Sequence, residues 1–396
     1  MQLIYFIRYL LIVTIFQSNI CNIHSINIEN KNKKSEINNG EIIVGANQIS
    51  RYIDYIDKKN IGIVANHTSV IFKEDNSYTH LVDSLLSLNI NISKIFTPEH
   101  GYKGENYNGE NVTDKVDQNT GLEIISLHGK DREYGKISDN DLIDIDLMIF
   151  DIQDVGARFY THISTLHYVM EACARNNIPL LVFDRPNPNG SYIDGPVLEN
   201  ENKSFVGMHP VPIVYGMTIG EYAQMINGES WLNTKVKCNL KVIKILNYKH
   251  DYNYSLLIKP SPNLPNDRSI SLYPSLCLFE GTNVSIGRGT TNQFQVIGSP
   301  YLDQKIYSFT FTPKPNQGSK YPPHNNKKCY GLDLRDNLLE KKFNLSYIID
   351  AYKNTTNKSE FFNDYFIKLS GTKDLKNQII NNTSEEIIRK SWKDKI

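Results

Sequence analysis

The sequence has no excess of charge of either sign: 43 Lys and Arg stand against 43 Asp and Glu, a formal net charge of +0. That balance excludes a global field able to hold the chain on nucleic acid or on an acidic membrane surface, and a small, roughly neutral substrate fits it better. Regular cysteine spacing is missing too. Cys21, Cys173, Cys238, Cys277 and Cys329 form no CxxC pair, which argues against a zinc ribbon. An oxidising compartment would allow one disulfide among the last four, although Cys173 and Cys277 stand in apolar stretches that favour buried thiols. There is no GxGxxG after the first expected strand and no GxxxxGK[ST] anywhere, so no nucleotide-binding loop is marked. The absence of a GxSxG elbow argues against an ordinary α/β-hydrolase. His67, His100, His162 and His167 form no HExxH or other compact ligand set, and neutral histidines in a polar cleft account for them. Neither a metal nor a cofactor is expected.

What is present begins at the N-terminus. Leu3 to Phe16 is almost continuously apolar, interrupted by Arg8, and gives way to Gln17, Ser18 and Asn19. This reads as a signal peptide over 1–22, since the run is shorter than the roughly 20 residues that span a bilayer. Export to the periplasm or cell envelope follows, with no stable membrane span after processing. Cys21 is a candidate lipid-attachment site in a poor lipobox, Ser18-Asn19-Ile20-Cys21. Residues 23–40 are rich in Asn, Lys and Glu and suit a solvated linker. The 24 Tyr and 16 Phe suit sugar-binding platforms, and an AT-rich genome explains much of the same composition.

From about Glu41 short apolar runs alternate with helical patterns. Strands are expected at Ile61–Ala65, Ile92–Phe96, Leu147–Asp151 and Leu180–Phe183, with helices at Leu81–Leu88 and Ser164–Asn176 between them. Strands apolar throughout are buried on both faces, as in a parallel sheet. Each ends in polar residues, Asn66-His67-Thr68, Thr97-Pro98-Glu99-His100, Asp151-Ile152-Gln153-Asp154 and Asp184-Arg185-Pro186-Asn187. Ligands bind outside the carboxyl ends of such sheets, so these ends mark one candidate site. Beyond about 240 the chain becomes Pro-rich, with helical patterns at Leu345–Lys353 and Glu385–Trp392. The expected architecture is α/β: a parallel-sheet domain over 41–240 and a smaller α/β domain over 241–396 that closes the cleft.

Several motifs in order then carry a resemblance: Thr97-Pro98-Glu99-His100-Gly101 with Gly104-Glu105, Asp154-Val155-Gly156-Ala157-Arg158-Phe159-Tyr160, Phe183-Asp184-Arg185-Pro186-Asn187-Pro188, Asp194-Gly195-Pro196 and Phe279-Glu280-Gly281-Thr282-Asn283. From Ile61 onward the chain resembles the exo-β-N-acetylmuramidase (NamZ-like) family. The resemblance implies a Rossmann-like domain, a smaller C-terminal domain, and release of N-acetylmuramic acid from the non-reducing ends of peptidoglycan fragments, with muramyl saccharides as partners.

Glycoside cleavage generally uses two carboxyl groups across the scissile bond. Glu99, at a strand end beside His100 and Gly101, is the leading candidate; its partner is Glu171, whose apolar helical setting suits a general acid, or Glu280 in a Gly-flanked loop. Glu105 and Asp151 rank lower. Arg158 and Arg288 stand beside small residues, and either guanidinium could hold the lactyl carboxylate that separates muramic acid from glucosamine. Asn66, His100, Asp151, Tyr160, Asp184, Arg185 and Asn283 complete the expected substrate contacts. Two other classes stay open: a non-catalytic peptidoglycan-binding protein, and a metal-dependent amide or ester hydrolase.

Overall fold

Alternation along the first strands decides how the core is built. The computed structural model describes residues 40–99, 101–103, 114–128, 135–316, 318–336 and 341–396, of which Ile43–Ile396 form one unit. The expected signal segment and nearly all of the linker lie outside the described residues, as do His100 and Glu105. Among the described residues nine strands precede residue 244: β1 (Ile61–Ala65), β2 (Val70–Phe72), β3 (Tyr78–His80), β4 (Ile92–Thr97), β5 (Lys115–Val116), β6 (Glu123–Ser126), β7 (Leu147–Asp151), β8 (Leu180–Phe183) and β9 (Leu240–Ile243). Seven of them form one sheet in the order β5-β6-β4-β1-β7-β8-β9, parallel except for the β5–β6 pair, while β2 and β3 make a separate hairpin.

Successive strand residues point to opposite faces, and here each face has its own core. Val64, Phe96, Phe150 and Val182 pack with the helices His162–Arg175 and Ile219–Gly228. Ile63, Ile95, Ile149 and Leu181 pack on the other side with Leu81, Val82 and Leu85 of the helix Leu81–Ser87. All five residues of β1 and of β7 are buried, as central parallel strands between two helical layers must be. The edge strand β9 is less apolar and carries the exposed Lys241, so its pattern alone did not announce it. It pairs with β8, which carries the first sheet past the boundary expected at 240.

The C-terminal part adds an antiparallel sheet, in the order β10-β12-β11, from β10 (Val296–Ser299), β11 (Phe309–Phe311) and β12 (Cys329–Asp333). Helices Asp267–Leu276, Ser346–Lys353, Tyr365–Ser370, Lys373–Ile380 and Glu385–Lys393 complete it. Cys173, Cys238, Cys277 and Cys329 are buried thiols, with no disulfide among them.

The two parts share a core. Val155, Ala157, Phe159 and Tyr160, from the loop after β7, pack with Leu276, Phe279, Phe294 and Phe366 of the C-terminal part. Arg158 lies within this junction at 0% exposure, its Nη1 donating to the carbonyls of Pro196 and Val211 (both 2.7 Å) and its Nη2 to those of Leu369 (2.9 Å) and Ser370 (2.8 Å). Burial pushes its pKa down to about 9, which still leaves a cation at neutral pH. The expected contact between Arg158 and a substrate carboxylate is corrected here: the guanidinium is spent on four backbone acceptors. Replacing it with Met strands those carbonyls, at about 1–3 kcal/mol for each buried group left unpaired. We expect Arg158→Met to lower the chemical-denaturation midpoint sharply and to reduce activity equally on every substrate. An unchanged midpoint would show that the clamp contributes nothing.

Candidate active site

A cleft of about 400 Å³ opens where the β4 and β7 strand ends meet the C-terminal part, lined among others by Glu99, Tyr160, Tyr273, Glu280, Arg288 and Tyr365. Its size falls within the ~300–1,000 Å³ usual for small-molecule sites. Phe159, Tyr160, Tyr273 and Phe294 are all nearly buried and give it an aromatic floor. The Tyr160 hydroxyl donates to the Pro260 carbonyl at 2.9 Å, which fixes the ring, and Tyr273 stands edge-on to Phe159, Tyr160 and Phe294.

Glu99 stands two residues past the end of β4, after Pro98, whose carbonyl accepts from Gly101 N–H at 3.2 Å. Glu280 arrives from the other side, in the 3₁₀ turn Cys277–Gly281. The next residue must be small, because a Cβ on Gly281 would lie 2.3 Å from the Phe366 Cα. That close approach brings the turn against the helix Tyr365–Ser370 and so places Glu280 beside Tyr365.

Arg288 binds Glu280 with two donors that converge on one oxygen: Nε lies 2.8 Å from Oε1, and Nη2 also bonds Oε1. Glu280 Oε2 is left with no hydrogen bond among the described residues. The guanidinium also lies 5.4 Å from the Phe294 ring centroid, a cation–π contact, and the Glu280 charge holds its pKa up against desolvation. The tyrosines respond to the same charges. Burial first, then Asp154 and Glu99, raise Tyr160 far above the ordinary phenol range; burial, Cys277, Glu280 and Glu99 raise Tyr365. Both are neutral phenols at physiological pH, and Tyr365 feels both cleft carboxylates.

Four of the expected contact residues are engaged elsewhere. Asp151 and Arg185 form a buried ion pair, Nε to Oδ1 at 2.6 Å and Nη2 to Oδ2 at 2.8 Å, and Arg185 also donates to the Val70 carbonyl at 2.9 Å. Asn66 Oδ1 accepts from Thr68 N–H (2.8 Å) and its hydroxyl (2.6 Å). Asp184 accepts from Thr218 Oγ1 (2.9 Å) and Gly220 N–H (2.8 Å), and burial pushes its pKa up to about 6. None of the four lines the cleft, because buried loop backbone and charge at the sheet edge use up their polar atoms. Asn283 does not line it either; its own carbonyl accepts from His324 Nε2 at 2.8 Å.

Glu171 is also placed away from the cleft. Its Oε1 accepts from Asn233 N–H at 3.1 Å, and Oε2 lies 3.9 Å from His167 Nε2. Behind it runs a buried chain, His167 Nδ1 to His209 Nε2 at 2.9 Å and His209 Nδ1 to Tyr222 Oη at 3.0 Å. Burial first, then His167 alongside, pushes His209 down to about 2, and both imidazoles are buried. Of the three candidate carboxylates the cleft thus unites Glu99 with Glu280. Tyr365, Lys368 and Tyr273 join them without having been marked in the sequence; Tyr273 stands on the helix Asp267–Leu276, and the close approach of Gly281 to Phe366 helps seat the helix that carries Tyr365 and Lys368.

Comparison with known proteins identifies the family of the chain. The models for the N-terminal and C-terminal domains of exo-beta-N-acetylmuramidase NamZ match residues 61–268 and 271–396. A Bacillus subtilis (strain 168) protein described as peptidoglycan beta-N-acetylmuramidase NamZ is 37% identical over 361 residues, covering 86% of this chain and 84% of that one. Two crystal structures of DUF1343 family proteins from Bacteroides fragilis NCTC 9343 superpose well. One has a TM-score of 0.81 at 43% identity, covering 90% of this chain and 96% of the other. The second has a TM-score of 0.74 at 28% identity, covering 89% and 95%. The chain belongs to the exo-beta-N-acetylmuramidase NamZ family.

Proposed function

We propose that this chain is a glycoside hydrolase that releases N-acetylmuramic acid from the non-reducing ends of peptidoglycan fragments during wall turnover. The observation that carries this is the pairing of Glu99 and Glu280 across one aromatic-floored cleft in a chain of this family. Two carboxyl groups are what glycoside hydrolysis generally needs. Glu280, fixed through Oε1 by Arg288, presents Oε2 to the leaving oxygen, while Glu99 supplies the second carboxylate, which activates water or attacks the anomeric carbon. The aromatic floor supplies the apolar face of a sugar site, and the neutral Tyr365 phenol lines the same cleft within the influence of both carboxylates. Glu99→Gln keeps the shape and loses carboxylate chemistry, so kcat on a chromogenic muramic acid glycoside should fall by about 10²–10⁴-fold with the fold intact. A folded variant with wild-type kcat removes Glu99 from the mechanism.

Muramic acid carries a lactyl carboxylate, and the cleft holds two aliphatic-stemmed cations that could meet it. Arg288 is engaged by Glu280, whereas Lys368, on the same helix as Tyr365, makes no ion pair among the described residues. Lys368 is accordingly the contact that reads this group, with Arg288 holding Glu280 in place. Lys368→Met should cut kcat/KM for muramic acid glycosides about ten-fold and leave the weak glucosamine background unchanged, while Arg288→Met should lower both. A loss of muramic selectivity confined to Arg288→Met would reverse the two assignments.

The apolar run Leu3 to Phe16 supports export of the mature chain to the cell envelope. N-terminal sequencing of protein recovered from fractionated cells should find the chain shortened past that run; full-length protein confined to the cytosol would refute the placement.

A further inference from the structure

Beyond the cleft lies a second recess of about 310 Å³, bordered by Thr282, Ser319, Lys320, Tyr321 and Pro323. It shares Glu280, Arg288 and Tyr365 with the cleft, so these three side chains form the ridge between the two spaces. The spaces differ in character. The aromatic rings of the cleft are nearly buried, whereas Tyr321 at the recess is 85% exposed, an unusual setting for so large a ring. Lys320 Nζ stands 5.7 Å from the Tyr321 ring centroid, and the largely buried Ser319 also borders the recess. An exposed ring with polar neighbours suits the apolar face and hydroxyl edge of a pyranose.

Geometry also orders the two spaces. A group that protonates the leaving oxygen must come within about 2.6–3.2 Å of it. In a two-sugar substrate that oxygen lies between the rings, so the groups acting on it must border both sugar sites. Of the two cleft carboxylates, Glu280 borders both spaces and Glu99 borders the cleft alone. The cleft, with its nearly buried aromatic floor, then suits the terminal sugar that is released singly, and the recess beside the exposed Tyr321 suits the remainder of the fragment, which must extend into solvent.

We infer that the recess beside Tyr321 is the aglycone site, where the saccharide on the reducing side of the scissile bond stacks on the Tyr321 ring. This rests on the glycosidase reading above. The test compares two substrates, the β-glycoside of N-acetylmuramic acid on N-acetylglucosamine and its methyl β-glycoside, which has no second sugar. Tyr321→Ala should lower kcat/KM for the disaccharide roughly five- to ten-fold and leave the methyl glycoside unchanged, with Tyr321→Phe restoring the disaccharide because the ring and not the hydroxyl is required. If the wild-type chain cleaves both substrates and Tyr321→Ala loses nothing, or loses equally on both, the aglycone site is overturned and the glycosidase reading stands. If the wild-type chain cleaves neither, both fall together.

Discussion

The cleft exists because one cation is buried where two parts of the chain meet. Arg158 precedes Phe159 and Tyr160 of the cleft floor, and its other end holds the carbonyls of Leu369 and Ser370 at the close of the helix that carries Tyr365 and Lys368. The last carbonyls of a helix lack intrahelical donors, and a guanidinium satisfies two of them while meeting the negative end of the helix dipole. A buried charge is costly unless its hydrogen bonds are made, and here four carbonyls take the place of a counter-ion. Gly371 completes the arrangement: its φ is +75°, and a Cβ there would lie 2.6 Å from Arg158 Nη2. Both walls of the cleft are therefore referenced to a single side chain.

The sheet edge follows the same economy. Asp151 and Arg185 end adjacent strands and pair face to face, and Arg185 reaches on to Val70 of the hairpin. Gln153 bridges the carbonyls of Asp154 and Pro186, tying the loop after β7 to the one after β8. This is why the central strands and their helices were legible in the sequence while the site was legible only in part. Apolar runs such as Ile61–Ala65 and Leu147–Asp151 leave no alternative to burial on both sides. Polar residues at their ends, by contrast, serve a ligand or the loop backbone equally well, and sequence does not separate the two uses. Glu99 serves the cleft; Asn66, Asp151, Asp184 and Arg185 serve the scaffold.

The C-terminal contribution was harder to read for a different reason. Glu280 stood out through its glycine neighbour, but Tyr365 and Lys368 sit on a short helix, Tyr365–Ser370, whose sequence carries no chemical signature. Their place depends on contacts far apart in sequence, Gly281 against Phe366 and Arg158 against Leu369. Glu171 shows the converse. Its apolar neighbours were rightly a sign of burial, but the buried space beside it is filled by His167 and Asn233.

These long-range contacts bear on the chemistry itself. Whether a glycosidase retains or inverts configuration depends on the gap between its two carboxyl groups, roughly 5 Å in one case and about 6.5–9.5 Å in the other. Here the two groups are held by separate structures: Glu99 by the end of a parallel strand, Glu280 by a turn packed on a C-terminal helix. No short stretch of chain fixes their separation. It is set by the docking of the C-terminal helix on the loop after β7, which the Arg158 bonds define. The separation of the proposed pair is therefore tied to a junction whose central cation, Arg158, lies outside the cleft lining.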